Sequence, residues 1–145
     1  MTKLKLDVDD LSDGFFDNSR ILGIVSTLRD YQLCWSLNNS LHFDLRINNG
    51  IEIIMNKKAR IYYFSVYQYN EPAGSLVHYI YNNRYDGEFL LPEFRHLDYL
   101  WLMKGDIVED EKMEWLSKTA ISIEAVQMVT ELPMDKLKNK DHLIF

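Results

Sequence analysis

Residues 41–82, "LHFDLRINNGIEIIMNKKARIYYFSVYQYNEPAGSLVHYIYN", decide the fold. Four segments rich in β-branched and aromatic residues, 41–47, 51–55, 59–69 and 75–81, are separated by "NNG", "NKK" and "NEPAG". Such runs bounded by turn residues read as strands, and connections this short join antiparallel neighbours. The first pair can be put in register. Leu41, Phe43, Leu45 and Ile47 form one apolar row, and Ile51, Ile53 and Met55 form the row it should join. A two-residue Asn49-Gly50 loop would set Ile47 opposite Glu52. A three-residue Asn48-Asn49-Gly50 loop sets Ile47 opposite Ile51 and Leu45 opposite Ile53, with glycine at the left-handed bulge position. The three-residue hairpin is therefore expected.

Toward the C-terminus, "NNRYDGE" (82–88) is a turn and "FLLPEFRH" (89–96) an irregular link, because Pro92 cannot donate to a ladder and biases Leu91 away from the helical region. "LDYLWLMKG" (97–105) then reads as a buried strand; a helix begun at Pro92 and closed by Gly105 is the alternative. "EDEKMEWLSKTA" (109–120) has acidic residues in its first turn and Met113, Leu116 and Ala120 on one face, which predicts a short helix. "ISIEAVQMVTELP" (121–133) returns to strand character. Toward the N-terminus, "TKLKLDV" (2–8) alternates as a strand does, with "DDLSDG" (9–14) as the turn after it. Residues 18–29 are ambiguous: Ile21, Val25 and Leu28 suit a helical face, while Gly23 and the β-branched residues count against one. From Asp30, a capping residue, Leu33, Cys34, Leu37 and Leu41 predict a helix near residues 30–40. The fold class expected is α+β: one domain over residues 1–145, a mainly antiparallel sheet packed by two or three short helices.

At 145 residues, with 47% hydrophobic, 13% aromatic and 26% charged residues, the chain has the size and composition of a single globular domain. It has no repeat, low-complexity tract or linker. Sixteen basic against twenty-two acidic residues give a net charge of −6, which opposes long-range attraction to nucleic acid or anionic lipid. Lys136, Lys138 and Lys140 alternate near the C-terminus, but Asp135 and Asp141 flank them, so a solvated tail or an edge strand is expected there. Cys34 is the only cysteine; it excludes an intramolecular disulfide and a multi-thiolate zinc site, and its helical position reads as a small buried hydrophobe. The N-terminus turns acidic within ten residues and no apolar run approaches the roughly 18 residues of a span, so a cytoplasmic protein without a membrane partner is expected.

Chemistry could sit in "LLPEFRHLDYLWL" (90–102), where Glu93, Arg95, His96 and Asp98 fall within six positions. Glu93 and His96 have the E-x-x-H spacing of di-iron bundles, but that site needs further carboxylates and four helices, and this chain is mostly β. Glu93, His96 and Asp98 could act as an acid/base group in a small enzyme. No G-x-S-x-G, H-E-x-x-H or Walker sequence accompanies them. The same residues are better explained as a folding clip. Pro92 fixes a turn, the Glu93 carboxylate accepts backbone N–H bonds, Asp98 does likewise at a strand entrance, and Tyr99, Trp101 and Met103 join Leu97 in the core. His42, His78 and His142 share no ligand spacing with one another, and no metal or cofactor is expected.

"LPEFRHLDY" resembles the signature of the IPExxxVDY family, small uncharacterised proteins of the Bacteroidetes. Leu91-Pro92-Glu93 stands for I-P-E and Leu97-Asp98-Tyr99 for V-D-Y, with two conservative aliphatic exchanges. The resemblance extends along most of the chain, including residues 21–38. It implies a bacterial cytoplasmic protein of unassigned role and puts weight on Pro92, Glu93, Asp98 and Tyr99, whereas the signature leaves His96 unspecified.

In "RIYYFSVYQY" (60–69), Ile61, Tyr63, Ser65, Tyr67 and Tyr69 would face one way and Tyr62, Phe64, Val66 and Gln68 the other. A strand covered on both faces is the first account, and Tyr63, Tyr67 and Tyr69 as a protein-binding or homodimer face the second. An RNA-stacking row comes last, since Ile61 stands where such strands have glycine after the basic residue. The function expected is therefore a non-catalytic binding or adaptor module with a protein partner. An RNA-associated role using the tyrosines and C-terminal lysines is the alternative, followed by the small enzyme.

Overall fold

The computed structural model describes residues 14–57 and 59–145; the strand expected over residues 2–8 lies outside them. The main elements among the described residues follow in the order β1 (Arg20–Ser26), α1 (Asp30–Leu41), β2 (Arg46–Ile47), β3 (Ile53–Lys57), β4 (Arg60–Phe64), β5 (Val66–Asn70), β6 (Val77–Asn82), β7 (Arg84–Tyr85), β8 (Glu88–Phe89), β9 (Tyr99–Lys104), α2 (Asp110–Ile121) and β10 (Val126–Leu132). Six strands form one antiparallel sheet in the order β10-β1-β9-β6-β5-β2, and β3-β4 and β7-β8 form two small ribbons. This is an α+β fold. No helix among the described residues is long and apolar enough to cross a membrane.

The main sheet separates two cores. On one face, Leu33 and Leu37 of α1 and Met113, Leu116 and Ala120 of α2 pack on Leu22, Ile24, Ile80, Trp101 and Met103. On the other, Ile53, Tyr62 and Phe64 of the β3-β4 ribbon, with Leu90, Leu91, Leu97, Leu137 and Leu143, cover Ile21, Tyr79, Tyr81, Leu100 and Leu102. Strands β1, β9 and β6 are thus buried on both faces. A doubly covered strand needs a continuous apolar run, which is why "YLWLM" reads so clearly. The same cause blurs residues 20–26: both faces of β1 are apolar, so alternation is lost and a helical period can be traced by chance. Gly23 sits there because a Cβ would lie 2.4 Å from Leu97 Cδ1. Leu97 accordingly belongs to the ribbon-side core, apart from Tyr99, Trp101 and Met103.

The three-residue hairpin expected at residues 41–55 does not form. Arg46 and Ile47 pair with Gln68 and Tyr67 of β5, while Ile53 pairs with Phe64 of β4. The reason is topological: Leu41, Phe43 and Leu45 pack into the helix-side core and Ile51, Ile53 and Met55 into the ribbon-side core, so the two rows cannot share a face. Asn38 of α1 fixes the branch by accepting the Leu45 N–H (2.8 Å) and donating to its carbonyl (3.1 Å). The Asn48-Asn49-Gly50 turn survives, closed by Ile51 N–H to Asn48 O (3.2 Å), but it carries the chain between sheets. Likewise, residues 59–69 are two strands broken at Ser65. The C-terminal stretch is neither tail nor edge strand. Short 3₁₀ turns at Met134–Lys136 and Lys140–Leu143 bury Leu137 and Leu143 against the ribbon-side core, which supplies the apolar contact that keeps them down.

Candidate functional site

The segment 91–99 spreads its side chains to three places. Pro92–Phe94 is a 3₁₀ turn organised by Asn83, a fully buried residue whose amide accepts from Leu91 N–H (2.9 Å) and donates to the carbonyls of Phe94 (3.1 Å) and Leu97 (2.9 Å). Glu93 reaches the C-terminal strap, accepting from the backbone N–H (2.9 Å) and side-chain amide (3.0 Å) of Asn139. Partial burial pushes its pKa up, but these bonds outweigh it and hold the carboxyl below its ordinary value. Asp98 accepts from Ser26 N–H (2.9 Å) and pairs with Arg84 (3.4 Å), and the Tyr99 hydroxyl donates to Leu28 O. His96 is exposed beside Phe94. Glu93, His96 and Asp98 therefore do not converge.

Asp98 and Tyr99 do line a groove of about 690 Å³. One wall is residues 25–31, the end of β1 and the first turn of α1; the other is Asn82 and Arg84, and Gln127 closes one side. Its polar groups are largely engaged. Asp30 accepts from Asn82 (3.0 Å) and from Tyr31 N–H (2.7 Å), and Ser26 Oγ donates to Ala125 O (2.8 Å) while accepting from Leu28 N–H (3.1 Å). Burial raises the Tyr99 phenol far above its usual range, so it stays a donor. Arg29 is exposed, and no carboxylate among the described residues pairs with it. Adjoining the groove is an apolar hollow of about 610 Å³ lined by Leu28, Tyr31, Gln32, Trp35 and Ser36. Tyr31 and Trp35, one turn apart on α1, are 56% and 69% exposed.

A second constellation is buried. Trp101 Nε1–H donates to His78 Nδ1 (2.9 Å), His78 Nε2 faces Glu71 Oε2 (2.6 Å), and Lys112 Nζ meets the other Glu71 oxygen (2.7 Å). An indole is only a donor, so Nδ1 must present its lone pair and the proton lies on Nε2. His78 is fully buried, between Phe43, Tyr69 and Trp101. Burial lowers its pKa against the opposing pull of Glu71. With both nitrogens bonded and no solvent access, this histidine is structural, not a general base.

The three tyrosines of residues 60–69 are divided by the break at Ser65. Tyr63, 58% exposed, lies on the outside of the β3-β4 ribbon, while Tyr67 and Tyr69 lean on the helix-side core and Tyr69 stacks on Phe43. Lys136 and Lys138 are exposed, whereas Lys140 lies over the Phe16 ring. Burial raises the Cys34 thiol far above its ordinary pKa, which suits packing and not nucleophilic chemistry. Among the described residues no group of three or more His, Cys, Asp and Glu is placed to hold a metal ion.

Sequence reasoning missed Asn83, the His78 network and the Tyr31/Trp35 pair. Only the last had a local signal, two aromatics at i and i+4 opposite the apolar stripe of a predicted helix. No family model matches the chain, and neither does any curated protein or solved structure.

Proposed function

We propose that this chain is a non-catalytic protein-binding module of the bacterial cytoplasm, of the IPExxxVDY type, which holds a segment of a partner protein across α1 and the adjoining groove. The observation that carries it is the exposure of Trp35 and Tyr31 at a hollow that opens into a polar groove. Tryptophan, tyrosine and arginine dominate binding hot spots, and burying an aromatic of this size contributes about 1.5–3 kcal/mol. The groove supports binding over catalysis, since the carboxylates of Asp30 and Asp98 and the hydroxyls of Ser26 and Tyr99 are engaged within the chain. Arg29 is the charge left to a partner, so the fitting segment carries an apolar anchor beside a carboxylate.

The test is peptide display against the full chain, followed by titration of Trp35→Ser and Arg29→Glu. Selected peptides should share an aromatic or aliphatic anchor next to Asp or Glu. Trp35→Ser should weaken binding about 30-fold, the equivalent of a hot spot of roughly 2 kcal/mol, and Arg29→Glu should remove the acidic preference. Peptides that bind both variants unchanged would refute the site. Retained nucleic acid whose affinity falls steeply with salt would put an RNA-associated role in its place.

A further inference from the structure

The two edges of the main sheet differ. The β2 edge is two residues long and exposed, with an arginine, which is how sheets ordinarily blunt an edge. The β10 edge runs seven residues, and β1 is its single strand neighbour among the described residues. Its sequence, VQMVTEL, contains neither proline nor lysine. Its one charge, Glu131, is turned back onto β1 by two hydrogen bonds from Arg20 (2.7 and 2.8 Å), and Arg20 is itself anchored to Asp110 of α2 (2.9 Å). A bulge at Gln127 interrupts the start of the strand, after which residues 128–132 pair without a break. Met128, Val129 and Thr130 are already half-buried. A regular and nearly uncharged edge of this length, open among the described residues, invites strand addition.

We infer that this edge pairs with the same edge of a second copy, β10 against β10 in antiparallel register about a dyad at Thr130. Thr130 is the midpoint of the regular run, so the dyad uses all five of its residues. It places Thr130 opposite Thr130, Met128 opposite Leu132 and Val129 opposite Glu131 of the second copy, which joins two apolar side chains on the ribbon-side face and sets no like charges opposite. Moving the dyad to Glu131 would oppose two carboxylates, and moving it to Val129 would draw the bulged Gln127 into the ladder. A dyad normal to the sheet keeps both helix layers on one side, so the two six-stranded sheets continue as one twelve-stranded sheet. The interface is isologous and closes on itself, in contrast to an open stack of edges.

The full chain should have a mass of twice 17.2 kDa by light scattering and dissociate on dilution. Thr130→Lys sets two ammonium groups on the dyad and should raise the dissociation constant at least about tenfold, while Thr130→Ser should leave it unchanged. Because a lysine there could disturb folding, the second measurement uses cysteine. Only a residue on the dyad meets its own copy at disulfide distance, so Thr130→Cys should cross-link under mild oxidation and Gln127→Cys, exposed on the same edge, should not. A monomer at every concentration would overturn the inference. So would a dimer indifferent to Thr130→Lys that lacks the Thr130→Cys cross-link. A monomer whose β10 amides resist hydrogen exchange as well as those of β9 would also overturn it, since the edge would then be covered within one chain.

Discussion

Replacing His78 by glutamine keeps both hydrogen bonds of the ring and removes its titration. The amide oxygen can accept from Trp101 Nε1–H and the amide nitrogen can donate to Glu71, as the two ring nitrogens do. In the folded chain burial keeps the imidazole neutral, with a pKa below its ordinary 6.5. In the unfolded chain it titrates at about 6.5. A histidine depressed by folding contributes stability that is complete above the unfolded pKa and lost as pH falls below it, because only the unfolded state takes up the proton. From about pH 7.5 to about pH 5.5 that loss can reach at most RT ln 10, or about 1.4 kcal/mol. The carboxylate facing the ring does not change in this interval. Glu71, pushed up by burial, is held below its ordinary value by His78 and Lys112 together, so its own contribution is lost only below about pH 4.5. Urea unfolding at the two pH values should therefore show the wild type losing more stability than His78→Gln, by at most about 1.4 kcal/mol, which at ordinary slopes caps the difference in midpoint shift at roughly 0.5–1.4 M. Any constant effect of the substitution cancels. Parallel pH dependence in the two proteins, or a His78 ring that titrates near its ordinary value by NMR, would refute the buried-neutral assignment.

Two further substitutions test the clip around residues 91–99. Glu93→Gln removes the charge from two bonds to Asn139 and should lower stability by about 1–2 kcal/mol, with faster exchange and proteolysis confined first to residues 134–145. The carboxyl pKa is depressed in the folded chain, so this stabilisation is present above about pH 4.5 and lost as pH falls below it; the glutamine variant should lack that acid-dependent loss, and an unchanged exchange pattern would show that Glu93 does not hold the strap. Gly23→Ala drives a methyl into Leu97 and should cost about 1–3 kcal/mol. Coupled with Leu97→Ala it should cost less than the two single changes together, and strict additivity in a double-mutant cycle would remove the contact from the account.

Local pattern revealed whatever depended on one element at a time. Strand β9 shows itself because both of its faces are covered, and α1 and α2 because each buries a stripe at helical spacing beside an acidic first turn. What failed depended on a second segment. The row of Phe43 and Leu45 and the row of Ile51 and Ile53 are each apolar, and no local property says that they belong to opposite faces of a sheet still to be built. The tyrosine row failed at Ser65 for a related reason, since alternation continues through a residue at which the chain passes from one sheet to another. His78 acquires its meaning from Glu71, Trp101 and Lys112, which sit on three different segments. The groove likewise assembles from the end of β1, the start of α1, the β6-β7 link and the start of β9.

The segment that looked most chemical has its effect at a distance. Glu93 holds residue 139, Leu97 fills the space over Gly23, Asp98 holds Ser26, and Tyr99 holds Leu28. Residues 26–28 lead directly into α1, so the last two contacts fix where that helix begins and hence where Tyr31 and Trp35 stand over the hollow. Under the proposed function, support and contact fall to different parts of the chain. Within 93–98 it is Glu93 and Asp98 that reach other segments, while the exposed aromatics of the proposed binding surface sit on a helix more than fifty residues earlier. A substitution at Asp98 or Tyr99 would on this account weaken partner binding by loosening α1, with no partner atom near the altered side chain, whereas one at Trp35 would weaken binding and leave the fold intact. Measuring stability and peptide affinity on the same two variants separates support from contact: affinity lost in proportion to stability belongs to the clip, and affinity lost alone belongs to the surface.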